Sequence, residues 1–208
     1  IKVSFRAMRT FENQMLGFAA ITAWQLYRWI QDNKYCGKCG HPMDFDQRER
    51  AMRCPHCSNI VYPKISPAVI VGITNDKGQI LVTKYAHGHY QSYALVAGFC
   101  EIGETIEETV KREVKEETGL DLIDYVHRGI VIFNYNDDEP LDMYLYTSKN
   151  FSGEIQECSE GDLKWIDKSE IYKLNLWEGD RIFLELLEKD APFFHLILNY
   201  ENDNLLSS

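Results

Sequence analysis

Residues Gly98 to Leu120 read GFCEIGETIEETVKREVKEETGL and fit the spaced pattern G-x5-E-x7-R-E-V-x-E-E-x-G-L at every constrained position. The stretch predicts one short helix over Ile106 to Thr118. Thr105 is placed to cap it, Glu108 to return the capping bond, and Gly119 to supply the left-handed stop. At 3.6 residues per turn Ile106, Val110 and Val114 share a narrow buried stripe. Glu107, Glu108, Lys111, Arg112, Lys115 and Thr118 fall on the opposite, solvent arc.

Three glutamates fall elsewhere. Glu117 lies inside the apolar stripe, Glu113 at its edge and Glu116 slightly further round, so none is expected on the solvent arc. Carboxylates crowded at a buried edge repel one another and are costly to desolvate unless a cation compensates them. Such a set suits a hard divalent ion, Mg2+ or Mn2+. The plainer account of an acid-rich stretch, a solvated amphipathic helix, does not explain why every fixed position matches.

The stretch resembles the signature of the Nudix hydrolases, which cleave a diphosphate bond in a nucleoside diphosphate linked to another group. The resemblance implies an α+β fold, the Nudix α/β/α sandwich with a mixed sheet. It also implies metal binding by Glu113, Glu116 and Glu117, support of those glutamates by Arg112, and a preceding cofactor-binding loop formed by Gly98, Gly103 and Glu104. In that pattern a glutamate shortly before a later strand completes the site or acts as general base. Glu160 is the candidate and Glu157 the reserve.

Composition bounds the alternatives. The chain has 208 residues, 45% of them apolar, and a formal charge of -10. That length accommodates one ordinary domain plus a smaller module, and the acidity argues against general affinity for a nucleic-acid backbone. No run of about twenty apolar residues and no basic-then-apolar leader is present, so the expectation is a soluble, cytoplasmic protein. The first residue is Ile1 rather than Met, which leaves room for an upstream part.

Four of the six cysteines form two knuckles, Cys36-Gly-Lys-Cys39 and Cys54-Pro-His-Cys57. This spacing is close to a zinc ribbon, and four thiolates close a tetrahedral site, so the expected Zn2+ is structural. Two disulfides would need an oxidising compartment that nothing else suggests. His41 and His56 could replace a thiolate in principle. Cys100 and Cys158 read as ordinary small side chains, with Cys100 beside the expected active site.

The domain expectation is a lead-in and helix over 1–33, a ribbon over 34–62, and the main domain over 63–208. Gly17 to Asn33 predicts a helix with Ala20, Trp24, Tyr27 and Ile30 at helical spacing, either packing on the ribbon or the main domain or forming a dimer contact. Ala68 to Thr74 and Gln79 to Lys84 predict a hairpin across Asn75-Asp76-Lys77-Gly78. Ile130 to Tyr135, Leu141 to Thr147 and Leu163 to Ile166 read as further strands, Arg181 to Lys189 as a helix, and Phe193 to Tyr200 as a last apolar stretch. His87 and His89 lie in a loop and could touch phosphates. Phe133, Tyr135, Tyr144 and Trp177 are candidates to stack on a base, although aromatics at strand positions are usually core.

A zinc ribbon directly before such a domain, with Phe5-Arg6-Ala7-Met8-Arg9-Thr10 and Trp29 to Gly40, is similar to the NADH pyrophosphatases. That resemblance implies cleavage of NADH or NAD+ to nicotinamide mononucleotide and AMP, and a homodimer. The chain departs from it after the signature, because the family's S-Q-P-W-P-F-P-x-S motif is absent and Tyr125 to Tyr135 reads YVHRGIVIFNY. Asn175 to Phe183 and Pro192-Phe193-Phe194 instead resemble small Nudix enzymes acting on oxidised or ordinary nucleoside triphosphates. A third reading is a nucleotide-binding regulatory module whose ribbon contacts a partner or nucleic acid, since Lys34, Lys38, Arg48, Arg50 and Arg53 form a locally basic edge. Removal of a nicotinamide cap from RNA would use the same chemistry and that edge.

Overall fold

The computed structural model describes residues 14–64, 66–85, 92–101, 103–136, 140–156 and 161–208. The chain divides into two compact units, Ile1–Ile65 and Ser66–Ser208. Among the described residues no helix is long and apolar enough to cross a membrane.

In the first unit, helix α1 (Gln14–Asp32) precedes a three-stranded antiparallel sheet of β1 (Asp44–Phe45), β2 (Met52–Arg53) and β3 (Ile60–Val61). Its small core joins Trp29 with Cys36, Met43, Met52 and Cys54, with Leu26 and Ile30 packed alongside. The helix therefore covers the ribbon, as the packing account expected. The contacting stripe differs from the expected one, because Trp29 is buried while Tyr27 is exposed. So few apolar residues make a core too small to stand without a crosslink or metal.

The second unit is built on a six-stranded mixed sheet, ordered β14-β13-β9-β10-β4-β7. Its strands are β4 (Ala68–Ile73), β7 (Val96–Phe99), β9 (Val126–Tyr135), β10 (Leu141–Ser148), β13 (Phe194–Glu201) and β14 (Asn204–Ser207). β10 with β4 and β13 with β9 are parallel, and the remaining pairs are antiparallel. A three-stranded sheet of β5 (Gln79–Tyr85), β6 (Tyr93–Ala94) and β12 (Gly161–Asp167) lies beside it, and β8 (Asp121–Leu122) pairs with β11 (Phe151–Ser152).

β4 shows why this is a layered fold. All six of its residues are buried. Val69, Val71 and Ile73 join Val110 and Val114 of helix α2 (Ile106–Thr118) on one face. Ile70 faces the other way, into a core with Phe183 and Leu184 of helix α3 (Glu178–Glu188). Helices on both faces make the α/β/α arrangement and account for an uninterrupted apolar strand. Full burial of each valine of α2 contributes roughly 1.5–3 kcal/mol.

One expectation fails here. Asn75 to Gly78 does turn the chain, with Gly78 N–H donating to Asn75 O at 3.1 Å and the Asn75 side chain accepting from Lys77 and Gln79. Yet among the described residues β4 and β5 form no ladder with each other, and the pairing next to the turn is limited to the isolated Thr74–Ile80 bridge. β4 takes β10 and β7 as partners, and β5 takes β12 and β6. A strand that is apolar on both faces is most stable inside the large sheet, so the turn passes the chain from one sheet to the other.

Candidate active site and zinc centre

Helix α2 has the predicted boundaries and caps. Thr105 Oγ1 accepts from Glu108 N–H at 3.2 Å and Glu108 Oε2 accepts from Thr105 N–H at 2.8 Å, while Gly119 ends the helix at φ 79°. Thr118 corrects the helical-wheel reading: it is fully buried, its hydroxyl donating to Val114 O at 2.6 Å and accepting from Leu120 N–H at 3.1 Å. The chain folds back over this last turn and removes it from water.

The three glutamates separate by depth. Glu117 is 7% exposed, the Glu113 side chain 13% and the Glu116 side chain 63%. Glu116 therefore departs from the expectation that none faces solvent, because the helix edge beside it is open. No three carboxylates among the described residues bring their oxygens within 4.8 Å of one another.

What gathers the site is Arg112. Its guanidinium donates to Glu104 at 2.5 and 3.0 Å, to Glu113 at 2.8 Å, to Glu116 at 3.1 Å and to Phe99 O at 2.9 Å. The planar fork thus links the loop, the end of β7 and two glutamates of the helix. Glu104 also accepts from Glu101 N–H at 3.0 Å and from Thr109 Oγ1 at 2.9 Å. The Arg112 bond, followed by the Glu101 amide, holds its carboxyl down at about 2. Reciprocally, Glu104 raises Arg112 above its ordinary value. Glu104 is thereby occupied as the brace of Arg112. The resemblance implies that the arginine supports the helix glutamates, whereas its bond to the loop carries no signal beyond the E-x7-R spacing.

Gly98 explains its own presence in the pattern. A Cβ at this position would fall within the Glu113 carboxylate, well under the 3.0 Å that Cβ contacts respect. The bare backbone of β7 is the cradle in which that carboxylate rests. Gly103, at φ 95°, adopts the left-handed backbone that lets the loop turn into the helix. By donor type Glu113, Glu116 and Glu117 suit a hard divalent cation, and the cradle seats Glu113, although the three carboxylates do not converge within 4.8 Å.

Glu160 and Glu157 lie outside the described residues, as do His87, His89 and Cys158. The four aromatic candidates divide between the two faces of the sheet. Phe133, Tyr135 and Trp177 pack against the α3-side core, whereas Tyr144 packs on the α2 side. Trp177 stands edge-on to Tyr135 and to Tyr200, with centroids 6.3 and 5.1 Å apart. Sequence reading missed Asp180, in the first turn of α3. It is 8% exposed, and burial pushes its carboxyl up to about 7. An acidic residue early in a helix ordinarily signals a solvated, dipole-stabilised position, so nothing local marked it as buried.

In the first unit Cys36, Cys39, Cys54 and Cys57 are free thiols with sulfurs within 4.8 Å of one another. The Cys36–Cys57 and Cys39–Cys54 sulfurs are 3.6 and 3.5 Å apart. Tetrahedral zinc with Zn–S of about 2.3 Å needs sulfur separations of about 3.8 Å, so the set fits. A disulfide, at about 2.05 Å, does not. His41 and His56 stack at 3.8 Å, are exposed, and with Cys39 form a second group within 4.8 Å; the four thiolates close a tetrahedron without them.

Comparison with known proteins agrees with both units. Residues 64–187 match the NUDIX domain family and residues 31–62 the NADH pyrophosphatase zinc ribbon domain. The NAD-capped RNA hydrolase NudC of Klebsiella pneumoniae subsp. pneumoniae is 43% identical over 96 residues, covering 46% of this chain and 37% of that protein. The protein of the same name from Pasteurella multocida is 35% identical over 147 residues, covering 69% of this chain and 54% of its own length. The chain thus spans about half, or less, of the curated relatives it matches. Among solved structures, the MutT protein of Bacillus halodurans superposes with a TM-score of 0.63 over 69% of this chain and 95% of its own, at 24% identity, a likeness of fold alone. The ribbon, the Arg112-centred glutamates and these matches converge: the chain belongs to the Nudix family, with the zinc ribbon of the NADH pyrophosphatases in front of its Nudix domain.

Proposed function

We propose that this protein hydrolyses the diphosphate bond of a nicotinamide dinucleotide, NADH or NAD+, giving AMP and nicotinamide mononucleotide in the reduced form from NADH and the oxidised form from NAD+, and accepts the same diphosphate at the 5′ end of an RNA. The observation that carries this reading is the Arg112 fork, which fixes Glu113 over Gly98 and Glu116 beside it. The zinc ribbon in the same chain, and relatives named as NAD-capped RNA hydrolases, support the choice of dinucleotide.

In this reading Glu113, Glu116 and Glu117 hold Mg2+ or Mn2+, which when bound neutralises phosphoryl charge and acidifies a water. The chain supplies the remainder. Arg112 keeps two of the ligands pointed, and Glu104 keeps Arg112 in place. Glu160 accepts the proton of the attacking water. Water adds to one phosphorus, the bridging P–O bond breaks, and the leaving phosphate departs as a monoester. Cys36, Cys39, Cys54 and Cys57 hold one structural Zn2+. The assembly is a homodimer, which light scattering tests against the 24.2 kDa chain mass.

The deciding experiment is product analysis with Mg2+ or Mn2+ on NADH, NAD+, dGTP and an RNA carrying a 5′ NAD end, with Glu117→Gln as the blank. Nicotinamide mononucleotide released from the dinucleotides and from the RNA, and absent with the variant, is the expected result. Turnover of dGTP alone would overturn the substrate assignment, and turnover of none would favour a nucleotide-binding module.

A further inference from the structure

A second cavity, of about 420 Å³, opens in the Nudix unit away from the glutamates. The two positions can be located on β4. Gly98, under Glu113, pairs with Val69 near the start of that strand, on the α2 side. The cavity is lined from Gly72 and Thr74 at the strand's end and from Leu184 and Leu187 of α3. Gly72 faces Leu95 and Thr147, on the α3 side. The sheet therefore stands between the glutamate site and this cavity.

Its lining is chemically mixed. Arg128, Lys149 and Lys168 all border it. The Arg128 side chain is 19% exposed and is held by Asp190 at 2.6 Å and by Ala191 O at 3.3 Å. Among the described residues Lys149 and Lys168 form no ion pair, and both are exposed. Two acids share the border, and each already accepts a bond: Asp190 from Arg128, and Glu188 from Tyr172 Oη at 3.1 Å. The remaining wall joins the apolar Ile80, Leu184 and Leu187 to Gly72, Thr74, Thr147 and Tyr172. Three cations against two acids, Glu188 and Asp190, leave this lining one positive charge in excess in a chain with a net charge of -10, a local excess that favours an anion.

We infer that this cavity is a second binding site, separate from the glutamate site, for an organic phosphate monoester of nucleotide size. The phosphate would meet Arg128, Lys149 and Lys168, with its organic part against Leu184 and Leu187. A bare phosphate is far smaller than the cavity and would leave its apolar wall in water, whereas ligand pockets of this size bury most of a small organic molecule. The site needs no divalent ion and does not depend on the catalytic reading.

Calorimetric titration of the zinc-loaded full chain with AMP, without added divalent metal, tests the inference, with inorganic phosphate as the second probe. The expected result is about one AMP per chain, with phosphate at least tenfold weaker. The double variant Lys149→Glu with Lys168→Glu should lose at least tenfold in AMP affinity at an unchanged melting temperature, and Glu117→Gln should bind as the parent does. Binding that survives the double variant would overturn the site. So would binding that requires Mg2+ and disappears with Glu117→Gln, or no saturable AMP binding by millimolar concentration. Equal affinity for phosphate and AMP would overturn the nucleotide-sized ligand.

Discussion

Replacing Gly98 by alanine adds a single methyl group where the Glu113 carboxylate rests. The Cβ would lie so far inside ordinary contact, about 3.4 Å, that the carboxylate must retreat by more than about 1 Å. That retreat also pulls Glu113 from its 2.8 Å bond with Arg112, so the fork keeps Glu104 but loses one of the helix ligands. A displacement of this size at a catalytic group costs on the order of 10²-fold in rate. Stability should move little. Gly98 lies in β7 with no left-handed backbone, and the group in its way is the end of a flexible side chain. Alanine at a compatible position even gains about 0.4–1 kcal/mol by restricting the unfolded chain. The expected outcome is a drop of about 100-fold in kcat for NADH with Mn2+, at a melting temperature within ~3 °C of the parent. Activity within twofold of the parent would refute the argument, because Glu113 would then not act from this cradle. A large loss of stability would refute it as well, since the clash would have fallen on backbone.

Three further outcomes follow from the same geometry. Arg112→Lys should lower kcat by about 10–100-fold in steady-state assays while the chain stays folded, because a point charge cannot hold Glu104, Glu113 and Glu116 at once. Cys54→Ser should abolish stoichiometric zinc by atomic absorption and make the first unit protease-sensitive, with the second unit's far-ultraviolet signal retained; Cys54 is wholly buried among the ribbon's few core residues. Asp180→Asn tests a pH dependence. Its folded pKa of about 7 lies above the ordinary 3.8, so the stability linked to it is fully present below pH ~4 and is lost as pH rises through ~7. The loss amounts to at most ~4 kcal/mol at pH 8. Denaturant midpoints should therefore rise in the variant at pH 8 and differ little at pH 4.5, and a rise of equal size at both would exclude titration of Asp180.

Both candidate metal sites could be read from the chain because their residues are close in sequence, although of these two sets, among the described residues, only the cysteines bring their ligand atoms within 4.8 Å of one another. Two C-x2-C knuckles need only a short sheet to bring four sulfurs together. Glu113, Glu116 and Glu117 share one helix whose start and stop are written in Thr105, Glu108 and Gly119. The exposures of Glu116 and Thr118 were misjudged for one reason: a helical wheel gives direction but not what covers each direction. Thr118 is buried by the chain that follows it, and the Glu116 side chain stays 63% exposed at the helix edge.

Local periodicity and cap chemistry by themselves determined the helix of the signature, and cysteine spacing the ribbon, while the family and the layered fold class followed from the resemblance of that signature to the Nudix hydrolases. Strand partners were not theirs to determine, since β4 and β5 are adjacent in sequence yet enter different sheets. The tertiary structure also decided the brace of Arg112 by Glu104, the cradle at Gly98, the burial of Asp180, and the meeting of Arg128, Lys149 and Lys168 around one cavity. The physical reason is the range of the forces involved. Caps and helical stripes are settled within a few residues, whereas burial and electrostatic neighbours depend on segments tens of residues away.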